Sequence, residues 1–205
     1  MALRDDLKQA YEDYGSEIVI IRDSGDVSGE FVSVEINAQV TKPFIREFHR
    51  EADFQYDTEA VTADIVKTVT DNDHFMVMNL TDEVMQGDAV SKSGVVYKCN
   101  VSGEVTRFSG ERDATSYHYG GTWENVKSDA YALLAQGLFG TDLEQDEDIG
   151  QIETQNMRIW LPDSYGVQQL DRYTPHSGEH YKIEAIEKYR FPGIIVCQVS
   201  EDTRE

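Results

Sequence analysis

Two histidines in the C-terminal part of the chain could bind a metal ion together. His176 and His180 stand four residues apart, a spacing that on a helix places two imidazoles on one face. A proline precedes this pair and a Ser-Gly dipeptide lies inside it, which predicts a hairpin turn instead of a helix. On a turn, Asp171 or Glu179 could still converge as a third ligand. The pattern favours a polar turn with two exposed imidazoles, and it leaves a metal-dependent enzyme open as an alternative.

The remaining candidates for chemistry lack the neighbours that catalysis requires. His118 lies in a Gly-rich segment, but no Ser or Cys nucleophile motif accompanies it. The chain contains neither a phosphate-binding glycine loop nor a G-x-S-x-G nucleophile elbow. The acidic run at 142–148 could hold a cation weakly, but it lacks the EF-hand spacing and predicts a solvated loop. We therefore predict that the chain is not an enzyme and has no cofactor or bound metal.

The charge balance of the chain is strongly acidic. There are 39 Asp and Glu residues against 18 Lys and Arg residues, and the formal net charge is −21. This charge could belong to a disordered acidic chain, to an acidic partner-binding tail, or to a folded protein adapted to molar salt, where the Debye length falls to about 3 Å. Disorder would require fewer aromatic and β-branched residues, and a tail would be a single block. Because the acidic residues are spread through apolar segments, the composition favours a folded, salt-adapted protein.

The same composition argues against several classes of partner. No Lys/Arg cluster offers a face for phosphates, so we expect no specific nucleic-acid binding, although DNA could pass beside an acidic wall. No apolar run approaches the 18 residues of a membrane-spanning helix, so we expect no membrane partner. Cys99 and Cys197 both lie in apolar, strand-like runs, which predicts two buried thiols instead of a disulfide.

Short strands dominate the hydrophobic pattern. Residues 3–14 repeat apolar positions at helical spacing and predict a helix that ends at Gly15. Runs rich in β-branched residues predict strands at 17–22 and 29–36. Residues 127–139 predict a second, mid-chain helix. We therefore predict a mostly β fold, with small barrel or sandwich modules built from repeated hairpins, a short N-terminal helix and one mid-chain helix.

Composition divides the chain into three parts. Residues 109–125 and 140–151 are rich in Gly, Ser, Asp and Glu and predict long loops. We expect an N-terminal helix and β module at 1–108 and an insertion of loop and helix at 109–151. A C-terminal β-hairpin module at 152–205 should pack with the first module.

An internal repeat underlies the predicted hairpins. Residues 87–98 and 170–182 share an Asp followed by the string Ser-Gly-x-x-Tyr-Lys, and residues 64–77 form a weaker third copy. Each copy predicts a strand, a tight turn and a return strand. One aromatic residue in each return strand would fill a small core; these residues are Phe75, Tyr97 and Tyr181.

Aromatic residues in the predicted loops are candidates for contact with a partner protein. Three aromatic residues lie in the Gly-rich segment 109–125, where exposed aromatics are typical anchors, although they could equally fold back onto the core. The repeat adds two matching Arg-Phe-x-Gly segments that begin at Arg107 and Arg190. The candidate interface residues are Tyr117, Tyr119, Trp123, Arg107, Phe108, Arg190 and Phe191.

The hairpin at 170–199, with its echoes at 87–101 and 64–77, resembles the small neck proteins of tailed viruses, which are head-closure (stopper) and head–tail connector proteins. The short helix and strand over 3–22 also look like the start of such proteins. The resemblance covers about half of the chain, and the acidic composition would fit a virus of halophilic archaea. The length of the chain and the segment 109–151 depart from the family, so the neck position (adaptor, stopper or tail completion) stays open.

The resemblance implies an assembly role. Copies of the chain would form a ring around the DNA channel and join the capsid portal, or its adaptor, to tail proteins. DNA would slide past acidic residues without specific binding, and the protein would reside in the virion after assembly in the host cytoplasm. Two alternatives remain open: a metal-dependent enzyme of a haloarchaeon that uses His176 and His180, and a generic β-barrel binding module in a cellular complex.

Overall fold

The chain folds into two closed β-barrels that follow one another in sequence. The computed structural model describes residues 2–36, 48–112, 119–136 and 157–204. The first part of the chain contains α1 (Ala2–Tyr14), β1 (Ser16–Ile21), β2 (Val27–Glu35), β3 (His49–Gln55), β4 (Ile65–Thr68), β5 (His74–Met85) and β6 (Asp88–Lys98). The second part contains β7 (Val101–Arg112), β8 (Tyr119–Gln136), β9 (Met157–Pro162), a short 3₁₀ turn (Asp163–Tyr165), β10 (Arg172–Pro175), β11 (Tyr181–Phe191) and β12 (Ile194–Glu201). The predicted mostly β fold with an N-terminal helix is confirmed.

Both barrels have the same strand order. In the first barrel the order is β1-β2-β3-β6-β5-β4, and β4 closes the barrel by pairing with β1. In the second barrel the order is β7-β8-β9-β12-β11-β10, and β10 closes it on β7. Closure pairs the backbone groups that an edge strand would leave free. The shared order identifies the second barrel as a structural repeat of the first.

The repeat extends to single residues at the turns before β4 and β10. The carbonyl of Asp64 accepts a hydrogen bond from the Val77 N–H at 2.9 Å, and the carbonyl of Asp171 accepts one from the Ile183 N–H at 2.9 Å. The residue before each aspartate has a left-handed backbone, with φ of 74° in one turn and 73° in the other. β5 and β11 also each carry a bulge directly after Val77 and Ile183. These matches align the two barrels with each other residue by residue.

The structural repeat differs in part from the sequence repeat. Residues 64–77 cover β4 and the start of β5, whose counterparts lie within and directly after residues 170–182. Residues 87–98 cover β6, whose counterpart is β12. The glycines of the shared string also have different structural roles. Gly94 lies inside β6, where a Cβ would stand 2.0 Å from a backbone oxygen, whereas Gly178 lies in a turn and has φ of 95°.

The predicted mid-chain helix at 127–139 is wrong, because the described part of this segment belongs to the long strand β8. Ala130 and Ala132 face the interior of the second barrel, while Leu133 and Ala135 pack between the two barrels. Since both faces of β8 are largely buried over residues 130–135, its apolar residues there follow one another without the alternation of a half-exposed strand. Such a run resembles a buried stretch of helix. Residues 137–139 lie outside the described residues.

The sheets of the two barrels meet at a different position from the predicted domain division. β6 ends at Lys98 and β7 begins at Val101, whereas the predicted first module ended at residue 108, inside β7. The segment 109–151, predicted as an insertion, supplies the end of β7 and the whole of β8 to the second barrel. The Gly-rich residues of 109–125 that the structure describes are strands, because β7 and β8 pair with each other there.

A two-residue connection joins the barrels and is fixed by a side chain. Asn100 donates from its carboxamide nitrogen to the Leu134 carbonyl at 2.6 Å, and its carboxamide oxygen accepts from the Leu134 N–H at 2.7 Å. The backbone N–H of Cys99 donates to the His74 carbonyl at 2.8 Å. The connection is therefore bonded to both barrels.

Among the described residues, three apolar clusters hold the molecule together, with one inside each barrel and one between the barrels. The first barrel contributes Ile65, Met76, Met78 and Tyr97 to the cluster between them. The second barrel contributes Leu133, Ala135, Trp160, Ile194 and Val196. His74 of β5 stacks on Tyr131 of β8 beside this cluster, with ring centroids 3.9 Å apart. The two barrels therefore share a core as well as a connection.

α1 lies on the outside of the first barrel, against β1, β2, β3 and β6. Lys8 pairs with Asp57 at 2.6 Å, and the Arg4 guanidinium carbon lies 4.3 Å from the centroid of the Tyr56 ring. None of the side chains at 3–14 is buried. The helix is therefore held at the surface by polar and cation–π contacts together with half-buried side chains such as Leu7 and Tyr11.

Candidate functional site

β7 and β8 continue past the second barrel as a two-stranded ribbon. β10 pairs with β7 only up to Thr106, whereas the pairing of β7 with β8 runs on to the pair Arg112 and Tyr119. We define residues 107–112 and 119–125 as the ribbon. In the described part of the chain no third strand pairs with it. Four of the seven predicted interface residues belong to this ribbon by their backbone.

Phe108 and Trp123 stand opposite each other on the ribbon. Their rings meet edge to face, with centroids 5.3 Å apart, a geometry that stabilises an aromatic pair by about 0.5–1.5 kcal/mol. Phe108 is 39% exposed. Gly121 leaves space for this ring, because a Cβ at residue 121 would lie 2.1 Å from the Phe108 Cζ atom. The ribbon therefore presents an aromatic pair next to solvent.

Two arginines lie over the Trp123 ring. Cζ of Arg172 is 3.8 Å and Cζ of Arg204 is 5.2 Å from the ring centroid, which are cation–π distances. Asp202 holds both cations, accepting from Arg172 Nε at 2.7 Å and from Arg204 Nε at 2.8 Å. Burial alone would raise the pKa of Asp202, but the hydrogen bonds from Arg204 and Arg172 outweigh it and hold this pKa well below its usual range. Trp123 is therefore half-buried in a charged cluster, and Phe108 is the more open member of the pair.

Arg107 is bound to its own barrel. Its guanidinium donates to both carboxylate oxygens of Asp171 at 2.8 Å and to the Gly166 carbonyl at 2.9 Å. The first barrel repeats the arrangement. Arg22 donates to the Asp64 carboxylate at 3.2 and 2.5 Å and to the Glu59 carbonyl at 2.7 Å. We define these two units as the Arg–Asp clamps. Because both barrels contain a clamp, its role is to hold the turn before β4 or β10.

The function of the double barrel has to be inferred from its own contacts and charges. No family model, curated protein or solved structure matches this chain. The resemblance to viral neck proteins therefore stays a prediction.

The remaining predicted interface residues are dispersed. Phe191 packs against the cluster between the barrels. Arg190 lies with its Cζ 5.9 Å from the Phe191 ring centroid and pairs with a nearby glutamate at 3.6 Å. Tyr119 belongs to the ribbon by its backbone, and Tyr117 lies outside the described residues. The candidates with described side chains thus divide between the ribbon and the joint of the two barrels.

Exposed apolar side chains at two other hairpins were not among the predicted contact residues. Val84 and Met85, at the tip of the β5–β6 hairpin, are 62% and 52% exposed, and Tyr189 of β11 is 97% exposed. Tyr189 also has φ of 76°, a backbone that costs a non-glycine residue on the order of 1–3 kcal/mol and is frequent at functional sites. No sequence spacing distinguishes these residues from core residues. Only the lengths of the hairpins place them outside the barrels.

His176 and His180 lie in the β10–β11 turn, as the sequence predicted. Nδ1 of His180 is 3.0 Å from the hydroxyl oxygen of Thr174. In the described ranges, no three His, Cys, Asp or Glu side chains come close enough to hold a metal ion. The acidic run at 142–148 and His118 lie outside these ranges. Within the same ranges no helix has the length and hydropathy needed to cross a bilayer.

Both thiols are unpaired, as the sequence predicted. Cys197 is buried in the core of the second barrel, and Cys99 packs against the cluster between the barrels. Burial raises the pKa of each thiol to about 12. Near neutral pH both stay protonated and act as small apolar side chains.

Proposed function

We propose that this chain is a structural virion protein of a tailed virus, which forms a ring around the DNA channel and joins the capsid portal to the tail. The observation that supports this most is the ribbon, which extends from a closed barrel and carries Phe108 next to solvent. A closed barrel offers no sheet edge to a partner. Hairpins that reach beyond the barrel are therefore well placed to contact a neighbouring subunit.

The β5–β6 hairpin gives the same kind of support from the first barrel. Val84 and Met85 are exposed side by side at its tip. Exposed apolar side chains on a projecting element are typical of contacts that are completed in an assembly. In the described part of the chain, each barrel therefore has at least one projecting hairpin with exposed apolar residues.

The net charge fits passage of DNA through such a ring. A chain with a net charge of −21 repels phosphates, so DNA can move past it without being held. The same charge makes copies repel each other in dilute buffer, where the Debye length is about 10 Å at 0.1 M salt. Assembly is thus expected to require molar salt, as inside a halophilic archaeon.

Negative-stain electron microscopy of the full chain tests the proposal. We expect rings with a central channel in molar KCl and a loss of rings when the salt is lowered to about 0.1 M, because repulsion between the acidic copies then extends over about 10 Å. A chain that stays monomeric at every salt concentration would overturn the proposal.

A pair of variants tests the ribbon separately. Phe108→Ser removes the exposed ring of the ribbon, while Val69→Ser removes an apolar side chain that is 50% exposed between β4 and β5. We expect fewer rings for Phe108→Ser and an unchanged number for Val69→Ser in molar KCl. Equal ring counts in the two variants would show that the ribbon has no part in assembly.

A further inference from the structure

The second barrel packs against the first through one outer face, which we call its docking face. Strand register shows which face of the first barrel corresponds to it. Trp160 of β9 packs between the barrels, and the next residue, Leu161, points into the core of the second barrel. Asp53 of β3 holds the same place, because the next residue, Phe54, points into the core of the first barrel. The ladders of β9 with β12 and of β3 with β6 agree with this match. Asp53 therefore stands where the second barrel has the largest side chain of its docking face.

The buried residues that the second barrel contributes to this contact have polar counterparts in the first barrel. The register matches Leu133, Ala135, Trp160, Ile194 and Val196 with Ser33, Glu35, Asp53, Ser91 and Ser93. We define this polar set on β2, β3 and β6 as the acidic face. Burial and then the charges of Glu35, Glu83 and Glu51 raise the pKa of Asp53, so carboxylates are crowded there.

The opposite side of the contact also changes from apolar to polar. The register matches Ile65, Met76, Met78 and Tyr97 of the first barrel with Arg172, Lys182, Glu184 and Ser200 of the second. We define the second set as the basic face. With the adjoining Asp202 and Arg204, it carries three cations and two carboxylates. Arg172 is buried beside Asp202, whereas Lys182 is half-buried and pairs with Glu184 at 2.7 Å, which leaves Lys182 and Arg204 as the accessible cations. A net positive face is unusual in a chain whose net charge is −21.

α1 lies over part of the acidic face, while Asp53 and Glu35 stay exposed. It lies on β2, β3 and β6, which are the counterparts of the strands β8, β9 and β12 that the second barrel uses for docking. Tyr11 lies near Asp53 and Ser91, while Lys8 pairs with Asp57 outside the acidic face. α1 thus occupies, on the first barrel, the position that the first barrel occupies on the second. Since no residue of the helix belongs to the interior cluster of the first barrel, displacing the helix would leave that cluster intact.

We infer that a second copy of this chain docks its basic face on the acidic face of the first barrel, in place of α1. The contact between copies repeats the geometry of the contact between the two barrels of one chain. It is heterologous, so successive copies close into a ring or continue as a filament, and the inference in this sense rests on the proposed ring assembly. The permanent contact within the chain is apolar and the contact between copies is charged, as is common for interfaces that form only on assembly.

Charge reversal on both faces tests the inference with the full chain in molar KCl. Because the Debye length is then about 3 Å, only charges in direct contact affect association. We expect Asp53→Lys and Lys182→Glu each to weaken self-association by about tenfold, as loss of a contact ion pair and gain of like charges would do. The double variant should recover most of the loss. Sedimentation velocity over a range of protein concentrations gives the association constant.

Matched controls separate contact from general charge effects. Glu104→Lys and Lys188→Glu make the same charge changes at exposed positions of β7 and β11 outside both faces, and we expect no change in association. Lys8→Glu breaks the pair with Asp57, loosens α1 and should strengthen association. A double variant no better than the single variants would overturn the inference.

A cross-link between copies gives a second readout that does not depend on association strength. Copies carrying Asp53→Cys are mixed with copies carrying Lys182→Cys, and we expect a disulfide only between the two kinds of copy. If the unchanged chain forms rings but the mixed cysteine variants form no such disulfide, the docking inference is overturned and the proposed function stands. A chain that never self-associates would overturn both.

Discussion

The aspartates of the two Arg–Asp clamps accept similar hydrogen bonds but differ in how deeply they are buried. The Asp171 side chain is 2% exposed and the Asp64 side chain is 12% exposed. An ionised carboxylate that binds an arginine through two hydrogen bonds is held more strongly than a neutral group. Its removal leaves the arginine donors without their acceptor, and the penalty grows with burial.

Asparagine substitutions in the clamps should therefore reduce stability to different extents. We expect Asp171→Asn to lower the free energy of unfolding by about 2–3 kcal/mol, and Asp64→Asn to lower it by less. Asp23→Asn is the control, because Asp23 is an exposed partner of Lys127 and such pairs contribute about 0–1 kcal/mol. Urea unfolding in molar KCl measures all three. A larger loss for Asp64→Asn than for Asp171→Asn would contradict the argument from burial.

His74 should make the stability of the molecule depend on pH. Burial lowers the pKa of His74, and the charge of Lys67 lowers it further against the opposing effect of Asp73. Its Nε2 atom is buried without a hydrogen-bond partner in the described part of the chain. Below an unfolded-state pKa of about 6.5 the unfolded chain binds a proton that the folded chain resists, so stability falls as pH falls from about 6.5, and it is unaffected by this group above that pH.

A glutamine in place of His74 should flatten this dependence. We expect the free energy of unfolding of His74→Gln to change less between about pH 7 and pH 5 than that of the unchanged chain. His49, whose pKa is also lowered by burial, accounts for a remaining slope. His176→Gln, in the β10–β11 turn, is the control and should keep the full slope. An equally steep decline in His74→Gln would show that the stacked ring is not the titrating group.

At the scale of the elements, the closure of the second barrel depends on the absence of a side chain. Gly103 lies in β7 where β10 closes the barrel, and a Cβ there would stand 2.2 Å from the Thr174 backbone oxygen. Backbone cannot move aside as a side-chain tip can. We expect Gly103→Ala to lower the free energy of unfolding by about 1–3 kcal/mol, the usual effect of overpacking. Ser102→Ala, in the same strand, adds no volume and should change stability little; circular dichroism during urea unfolding compares the two.

The elements also show what the sequence could and could not predict. The strands predicted at 17–22 and 29–36 match β1 and β2 closely. One face of each strand is only partly buried, and both strands are rich in β-branched residues, which local patterns detect. β8 was not predicted because its residues 130–135 are largely buried on both faces, with one face inside the barrel and the other between the barrels. Local patterns cannot distinguish such a strand from a helix.

The candidate site was predicted in part for a similar reason. Trp123 and Phe108 were predicted as contact residues from local composition, and the structure places them together on the ribbon. The arginines that lie over Trp123 come from β10 and from the residues after β12. Their convergence depends on barrel closure, which no local pattern encodes. The correspondence of the two barrels likewise required strand register, because the most similar sequence strings belong to different strands.

For the whole molecule, the shared core predicts that the two barrels unfold together. Met76 is fully buried between them. We expect Met76→Ala to lower the free energy of unfolding by about 2–5 kcal/mol and to split a single transition into two, since each barrel keeps its own interior cluster. Met85→Ala, at an exposed hairpin tip, should change neither quantity.

Tryptophan fluorescence during unfolding can report separately on the contact between the barrels and on the ribbon. The chain has 2 tryptophans; Trp160 lies between the barrels and Trp123 on the ribbon. Variants with one of the two replaced by phenylalanine report each place alone. Two separate transitions in the otherwise unchanged chain would contradict a shared core.

The short connection at Cys99 and Asn100 has a mechanical consequence. Asn100 is bonded to both backbone groups of Leu134, so the connection has no slack that could act as a hinge. A pull or a torque on one barrel is passed directly to the other. Under load the pair of barrels should behave as a stiff block, and the elastic compliance of the molecule should reside in the ribbon, which is only two strands wide.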